Sequence, residues 1–214
     1  MYSGSVDSWI REIRGEIVRE KILALLSKKG DIPPLPDILR RLSAKINDPE
    51  CDLIEIADLI KTEPILAGRL NNMANSVFYG GGLDKSRDIS TAVMRLGLKL
   101  VMDLAYALEV PKMFLKTKGM DQRQFWRHSL AVAMLSKIIG KKLLSGKKDQ
   151  ENAYLAGLMH DMGMLVFCFL IPEEYAEFLK TVPSLDGTLE QLESAKFGIN
   201  HFELGGLFIS KQWN

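Results

Sequence analysis

The chain has 214 residues, 47% of them hydrophobic and 26% charged, which is the composition of a soluble globular protein of one or two domains. Its 28 basic and 27 acidic residues give no overall field that would favour a nucleic acid or an anionic membrane as partner. The chain lacks a signal-peptide core and any long apolar run, and its two cysteines are far apart, so we expect a cytoplasmic protein without disulfides.

The first half of the chain has the pattern of short amphipathic helices. A helix is predicted over 7–28, ended at Gly30, and the prolines of 32–36 then force an extended turn. The capping pair Asp52 and Glu55 opens a further helix. The remaining helices of this half are predicted after Pro36 and over 63–76, 90–96 and 98–109, with a flexible loop at Gly80–Gly82 and a break at Pro111.

The second half is also predicted to be helical, and it contains all three histidines. A helix that begins near Asp121 carries the stripe Phe125, His128, Val132, Leu135 and Ile139, which places His128 on an inward face. Short helices follow at Pro172 and Thr188, and a last one opens at Asn200 with His201 on its inward stripe. No strand alternation occurs, so the predicted fold class is all-α.

The run AYLAGLMHDMGML at 153–165 is the most informative stretch. It reads as a buried helix in which His160 and Asp161 stand in apolar surroundings, on a face lined by small residues where another backbone or a ligand can come close. A buried carboxylate needs a partner, because an unpaired one costs several kcal/mol. His160 and Asp161 therefore offer one nitrogen and one oxygen ligand for a metal ion.

His128 and His201 extend this hypothesis to a cluster of three imidazoles and one carboxylate. His201 follows its helix cap directly, where the positive end of the helix keeps the ring neutral and able to bind a metal. The alternative is that Asp161 caps a neighbouring helix and each His bonds a backbone carbonyl in its own surroundings. The sequence predicts the metal ligands His128, His160, Asp161 and His201, for one divalent ion of manganese, iron, magnesium or zinc.

Six stretches in order resemble the HDOD family, the HD-related output domain of bacterial signalling proteins. They are IPPLP at 32–36, TEPILAGRLNNMANS at 62–76, STAVMRLG at 90–97, FWRHS at 125–129, the run at 153–165 and FGINHFELGGLF at 197–208. The resemblance implies an N-terminal helix over 1–30, a helical lobe over 31–117 and a degenerate HD-like lobe over 118–214. The chain ends without a helix stop signal, and we expect family members to continue past this point.

The resemblance also implies a regulatory module without catalysis. His128, His160 and Asp161 match the metal positions of HD phosphohydrolases, and His201 resembles the His of the HPxxG element in the HD-GYP branch. Met164 stands where that branch has a lysine, the GYP element is absent, and only Glu203 is acidic after His201. The hydrolytic equipment is therefore incomplete.

The sequence leaves two main functions and one further function open. The first is a non-catalytic signalling module that binds a protein partner or a small ligand, and the second is a metal-dependent phosphohydrolase acting on a nucleotide or cyclic dinucleotide. A metal or haem sensor using the same histidines is a third. The first helix fits packing on the lobe, a link to an upstream domain or a homodimer, and no nucleic acid or membrane is expected as partner.

Overall fold

A computed structural model of the protein describes residues 6–28, 34–79, 85, 87–115 and 119–213, with the side chains of 6–14, 79 and 212 left aside. Within these ranges the chain folds into helices and turns without a strand, so the predicted all-α class is confirmed. The predicted stop at Gly30 and the loop Gly80–Gly82 lie outside the described residues. The helices are α1 (Val6–Ser27), α2 (Asp37–Ile46), α3 (Leu53–Lys61), α4 (Pro64–Ala74), α5 (Ile89–Leu96), α6 (Leu98–Met113), α7 (Gln122–Leu143), α8 (Lys147–Met159), α9 (Met162–Leu170), α10 (Pro172–Thr181), α11 (Leu189–Phe197) and α12 (His201–Gln212).

Capping side chains set the beginnings of several helices, as the sequence indicates. Asp52 accepts a hydrogen bond from the Glu55 amide at 2.9 Å and so begins α3, and Asn200 accepts one from the Glu203 amide at 3.0 Å and so begins α12. Thr188 with Gln191 forms a capping box at the start of α11. These contacts satisfy amide donors that have no partner inside the first helical turn.

Three details of the predicted helices are wrong. The run at 153–165 is not one helix: α8 ends at Met159, α9 begins at Met162, and His160 and Asp161 form the turn between them. Pro111 does not end α6, which continues to Met113, because a proline in the last turn removes only one helical hydrogen bond. On α7 the buried side chains include Phe125 and Ala133, whereas Leu135 and Ile139 are exposed.

The chain divides into two compact units. The unit that carries the histidines contains residues 1–34, 114–136 and 156–214, and the other contains 35–113 and 137–155. In this second unit α2 to α6 bury an apolar core that includes Leu39, Leu66 and Val93. The domain division predicted at residues 30 and 117 stays a prediction.

The core of the histidine-bearing unit is aromatic. Phe167 of α9 stacks on Tyr175 of α10 with ring centroids 4.7 Å apart, and Phe197 of α11 contacts both rings. Cys168 is buried in the same region, and burial raises the pKa of its thiol to about 12. The thiol is therefore protonated at neutral pH and packs as a small apolar group.

The segment Lys147–Leu170 is long and apolar enough, by length and composition alone, to cross a membrane. In its most apolar window 61% is buried inside the protein, as is usual for a core helix. The helix is also interrupted, because His160 and Asp161 form a turn within it.

Arg19 attaches α1 to the beginning of α12. Its guanidinium donates hydrogen bonds to the Gly198 carbonyl at 2.7 Å and to both carboxylate oxygens of Glu203. The hydrogen bond from Arg19 holds the pKa of the Glu203 carboxyl below its ordinary value. The pair is partly exposed, with 33% of the Arg19 side chain and 42% of the Glu203 side chain accessible, so its contribution to stability is small.

This pair makes a small part of the stability dependent on pH. A carboxyl whose pKa is lowered on folding stabilises the protein above the unfolded-state pKa, near 4.3 for Glu, and the contribution disappears as pH falls through the folded-state value. We expect Glu203→Gln to lower the free energy of unfolding by about 0.5 kcal/mol at neutral pH and to approach wild type below about pH 4. Urea unfolding across this pH range measures the difference. A difference that stays constant with pH would contradict the expectation.

Candidate functional site

The structure brings together the four residues predicted from the sequence, all within one unit. His128 lies on α7, His160 and Asp161 form the turn between α8 and α9, and His201 is the first residue of α12. Asp161 is the centre of the group. Its Oδ2 lies 3.0 Å from His160 Nε2 and 3.5 Å from His128 Nε2, and its Oδ1 lies 3.7 Å from His201 Nε2.

The group extends from the surface of its unit, at His128, to a buried position at His201. The exposed fraction of the side chain falls from 56% at His128 to 28% at His160, 16% at Asp161 and 4% at His201. The prediction that His128 faces inward is therefore wrong. Apolar residues occur on several sides of α7, so their spacing does not define one buried face.

Two glycines bring the backbones close enough for these side chains to meet. A Cβ at Gly157 of α8 would lie 2.8 Å from Ala133 Cα and 2.9 Å from the Val132 carbonyl oxygen of α7. A Cβ at Gly163 of α9 would lie 1.8 Å from the carbonyl oxygen of His201. The small-residue face predicted around His160 is thus a site of backbone contact, and these contacts place His160 beside His128 and Asp161 beside His201.

A hydrogen bond at Nδ1 of His160 determines that its other ring nitrogen, Nε2, is available as a ligand atom. His160 Nδ1 lies 2.9 Å from the Gly157 carbonyl oxygen, so Nδ1 carries the proton and Nε2 has a lone pair. His160 Nε2 is also 3.3 Å from His128 Nε2. Two ring nitrogens at this distance share a proton in a hydrogen bond or bind a common cation.

Glu193 contacts the group as well, although it is not among the residues predicted from the sequence. This residue of α11 is fully buried, and its Oε2 accepts the His201 backbone N–H at 2.8 Å and faces His201 Nδ1 at 2.5 Å. Its other oxygen accepts the Tyr175 hydroxyl at 2.6 Å. Burial and the Glu193 carboxylate raise the pKa of Tyr175, which keeps that hydroxyl a donor. The signal in the sequence was a Glu at helical spacing between Leu189 and Phe197, on an apolar stripe.

The donor set fits a divalent metal ion. His128, His160 and Asp161 each offer one ligand atom, and these atoms lie within 4.8 Å of one another. Imidazole and carboxylate ligands suit manganese, iron and zinc. Among the described residues, Asp161 and Glu193 have ion-pair partners only among the three histidines and none among lysines or arginines. Two carboxylates in partly or fully buried positions therefore favour a bound cation.

An open cavity of about 640 Å³ adjoins His128 on α7 and is lined by Asp121, Arg123, Gln124 and Arg127 as well. The Asp121 carboxylate accepts the amides of Arg123 and Gln124, so it caps the helix. Within the described part of the chain neither Arg123 nor Arg127 forms a side-chain ion pair. A smaller cavity of about 210 Å³ reaches Asp161 and is also lined by Met164.

Comparison with known proteins finds relatives in structure and in sequence. A solved HDOD domain protein from Geobacter sulfurreducens is 30% identical with a TM-score of 0.74, over 94% of this chain and 66% of that one. A candidate phosphohydrolase from Shewanella amazonensis is 21% identical with a TM-score of 0.69, over 90% of this chain and 66% of that one, and shows the fold alone. An uncharacterized protein of Treponema pallidum is 25% identical over 95% of this chain.

The chain spans 39% of the length of the Treponema relative, and 66% of each of these two solved structures. The HDOD domain family itself matches residues 32–214, which is most of the chain. With the helical fold and the order of the sequence stretches, this match identifies the protein: the chain belongs to the HDOD family.

Proposed function

We propose that this chain is a regulatory module of bacterial signal transduction that holds one divalent metal ion and acts by binding a protein partner or a small ligand in the cytoplasm. The ion would be held by His128, His160 and Asp161, with His201 as the fourth ligand. The observation that carries the proposal is the convergence of three imidazoles on a single carboxylate, within 3.7 Å of its oxygens.

The engagement of the other carboxylates described near the group supports binding rather than hydrolysis. Two-metal hydrolysis needs further acidic ligands to hold the second ion and the attacking water. Among the described residues, Asp121 caps α7, Glu193 is engaged by His201 and Tyr175, and Glu203 is engaged by Arg19. Met164 adds an apolar side chain where a cation would contact a phosphate.

The residues of the chain have distinct parts in such a module. The Gly157 carbonyl orients His160, and Glu193 orients His201, so both rings present Nε2 toward Asp161. His128 contributes from the exposed surface of α7, beside the open cavity. A bound metal would supply a Lewis-acid position for an anionic or neutral donor group of the ligand.

A metal-dependent phosphohydrolase acting on a nucleotide or cyclic dinucleotide is the second candidate. The observation that favours it is the pair Arg123 and Arg127, which line the cavity beside His128 with no ion-pair partner among the described residues. Guanidinium groups bind phosphate oxygens in a fork geometry. The same two residues would also serve a module that binds an anionic ligand without hydrolysing it.

One experiment tests both candidates. In wild-type protein purified without a metal-affinity tag, we expect close to one equivalent of metal by elemental analysis and no turnover of generic phosphodiesters with added manganese. Asp161→Ala should lose the metal, because it removes the central ligand. The matched control Asp186→Asn changes an exposed acidic residue of the same unit and should retain the metal.

The outcomes separate the candidates. Wild-type protein that neither contains nor binds metal contradicts both. Turnover that requires manganese and disappears in Asp161→Ala contradicts the regulatory module and establishes the phosphohydrolase. Metal without turnover supports the module.

A further inference from the structure

We infer that Glu193 is a positioning residue of the metal site, which holds His201 in the tautomer whose Nε2 is free to bind a cation beside Asp161. The inference rests on the proposed metal binding and adds to it a residue outside the ligand set. It is carried by the hydrogen bonds around Glu193.

The Glu193 carboxylate already accepts two hydrogen bonds. The backbone N–H of His201 donates to Oε2 at 2.8 Å, and the Tyr175 hydroxyl donates to Oε1 at 2.6 Å. The remaining contact, with His201 Nδ1 at 2.5 Å, is then a donation from Nδ1–H to an oxygen that already acts as an acceptor. In a neutral imidazole with a proton on Nδ1, Nε2 carries a lone pair.

That lone pair lies near the carboxylate at the centre of the group. His201 Nε2 is 3.7 Å from Asp161 Oδ1, whereas His160 and His128 face Oδ2 of the same carboxylate. A His whose second nitrogen donates to a carboxylate is the usual arrangement of metal-binding histidines in proteins, because the carboxylate fixes the ring and makes the ligand nitrogen more basic. His160 has the same arrangement with a backbone carbonyl in place of the carboxylate.

The burial of Glu193 argues for a role beyond packing. The residue is fully buried, and no lysine or arginine of the described chain pairs with it. An ionised carboxyl in such a place costs several kcal/mol, which its three hydrogen bonds offset only in part. A purely structural link between α11 and α12 could be made by a neutral side chain. A neutral side chain could not supply His201 with the negative charge that makes its Nε2 more basic.

Ring-nitrogen NMR of the metal-free wild type tests the tautomer directly. The chain has three histidines, so the spectrum contains only six ring nitrogens, and His201→Gln assigns the signals of His201. We expect a protonated Nδ1 and an unprotonated Nε2 for His201. A protonated Nε2 with an unprotonated Nδ1 overturns the inference without any variant at position 193.

Manganese titration followed by calorimetry tests the role in metal binding. Glu193→Gln keeps the shape and an acceptor oxygen but removes the charge, so we expect manganese affinity to fall about 10- to 100-fold. The matched control is Tyr175→Phe, which removes another hydrogen bond of the same carboxylate without touching His201. It should lower the thermal midpoint and change manganese affinity by roughly threefold or less.

If Glu193→Gln does not fold, Glu193→Asp replaces it, because the shorter side chain moves the carboxylate away from His201. Wild-type protein that binds manganese, with Glu193→Gln of equal affinity, overturns this inference alone. Wild-type protein that binds no metal overturns the proposed function together with it.

Discussion

Replacing Gly163 with alanine is expected to destabilise the protein by about 3 kcal/mol or more and to abolish metal binding. The new Cβ would lie 1.8 Å from the His201 carbonyl oxygen, which belongs to the backbone of α12 and cannot move alone. Either α9 or α12 must shift, and the shift separates Asp161 from His201. Thermal unfolding and manganese titration measure the two effects.

Gly206→Ala is the matched control for this prediction. Gly206 lies on α12, and nothing lies within 4 Å of a Cβ placed there. Because glycine is a weaker helix former than alanine, this variant should equal or exceed wild type in stability, by up to about 1 kcal/mol, and should bind metal normally. Equal behaviour of the two variants would show that the close contact at Gly163 is unimportant.

Gly198→Ala is expected to cost about 2–4 kcal/mol of stability, for two separate reasons. Gly198 ends α11 in the left-handed conformation, with φ of +70°, which disfavours a residue with a side chain. A Cβ there would also lie 2.3 Å from the Gly15 carbonyl oxygen of α1, at the place where Arg19 binds the Gly198 carbonyl. Urea unfolding of the variant measures the loss.

Gly198→Asn separates the two causes. Asparagine tolerates positive φ better than alanine but has a Cβ of its own. If the contact with Gly15 dominates, Gly198→Asn should lose nearly as much stability as Gly198→Ala. Recovery of most of the stability by asparagine would show instead that only the backbone conformation matters.

The sequence predicts the fold class and the beginnings of helices well, because their causes are local. The capping side chains of Asp52, Thr188 and Asn200 act on amides two or three residues away, and the pattern that predicts them contains the whole interaction. The convergence of the histidines was also predicted, because each His lies in a helical segment and His160 is adjacent to Asp161.

The rest of the site depends on contacts between distant segments. In the apolar run through His160, Asp161 directly precedes α9, but its side chain makes no capping hydrogen bond to that helix. Close backbone contacts at Gly157 and Gly163 lie on either side of the turn. The position of Glu193 on an apolar stripe indicates burial but not its partners, because only the packing of α11 with α10 and α12 brings Tyr175 and His201 to it. On α7, apolar residues on several sides hide which face is buried.

The uneven exposure of the ligands bears on how fast a bound ion would exchange. His160 and His201 are each fixed by a contact at Nδ1, and Asp161 is mostly buried. More than half of the His128 side chain, in contrast, is open to solvent. An ion at the cluster could lose this one imidazole first and leave through the same opening, so release would not require the core to open. Occupancy would then follow the free metal concentration around the protein, as for a readily reversible ligand rather than a permanently incorporated cofactor.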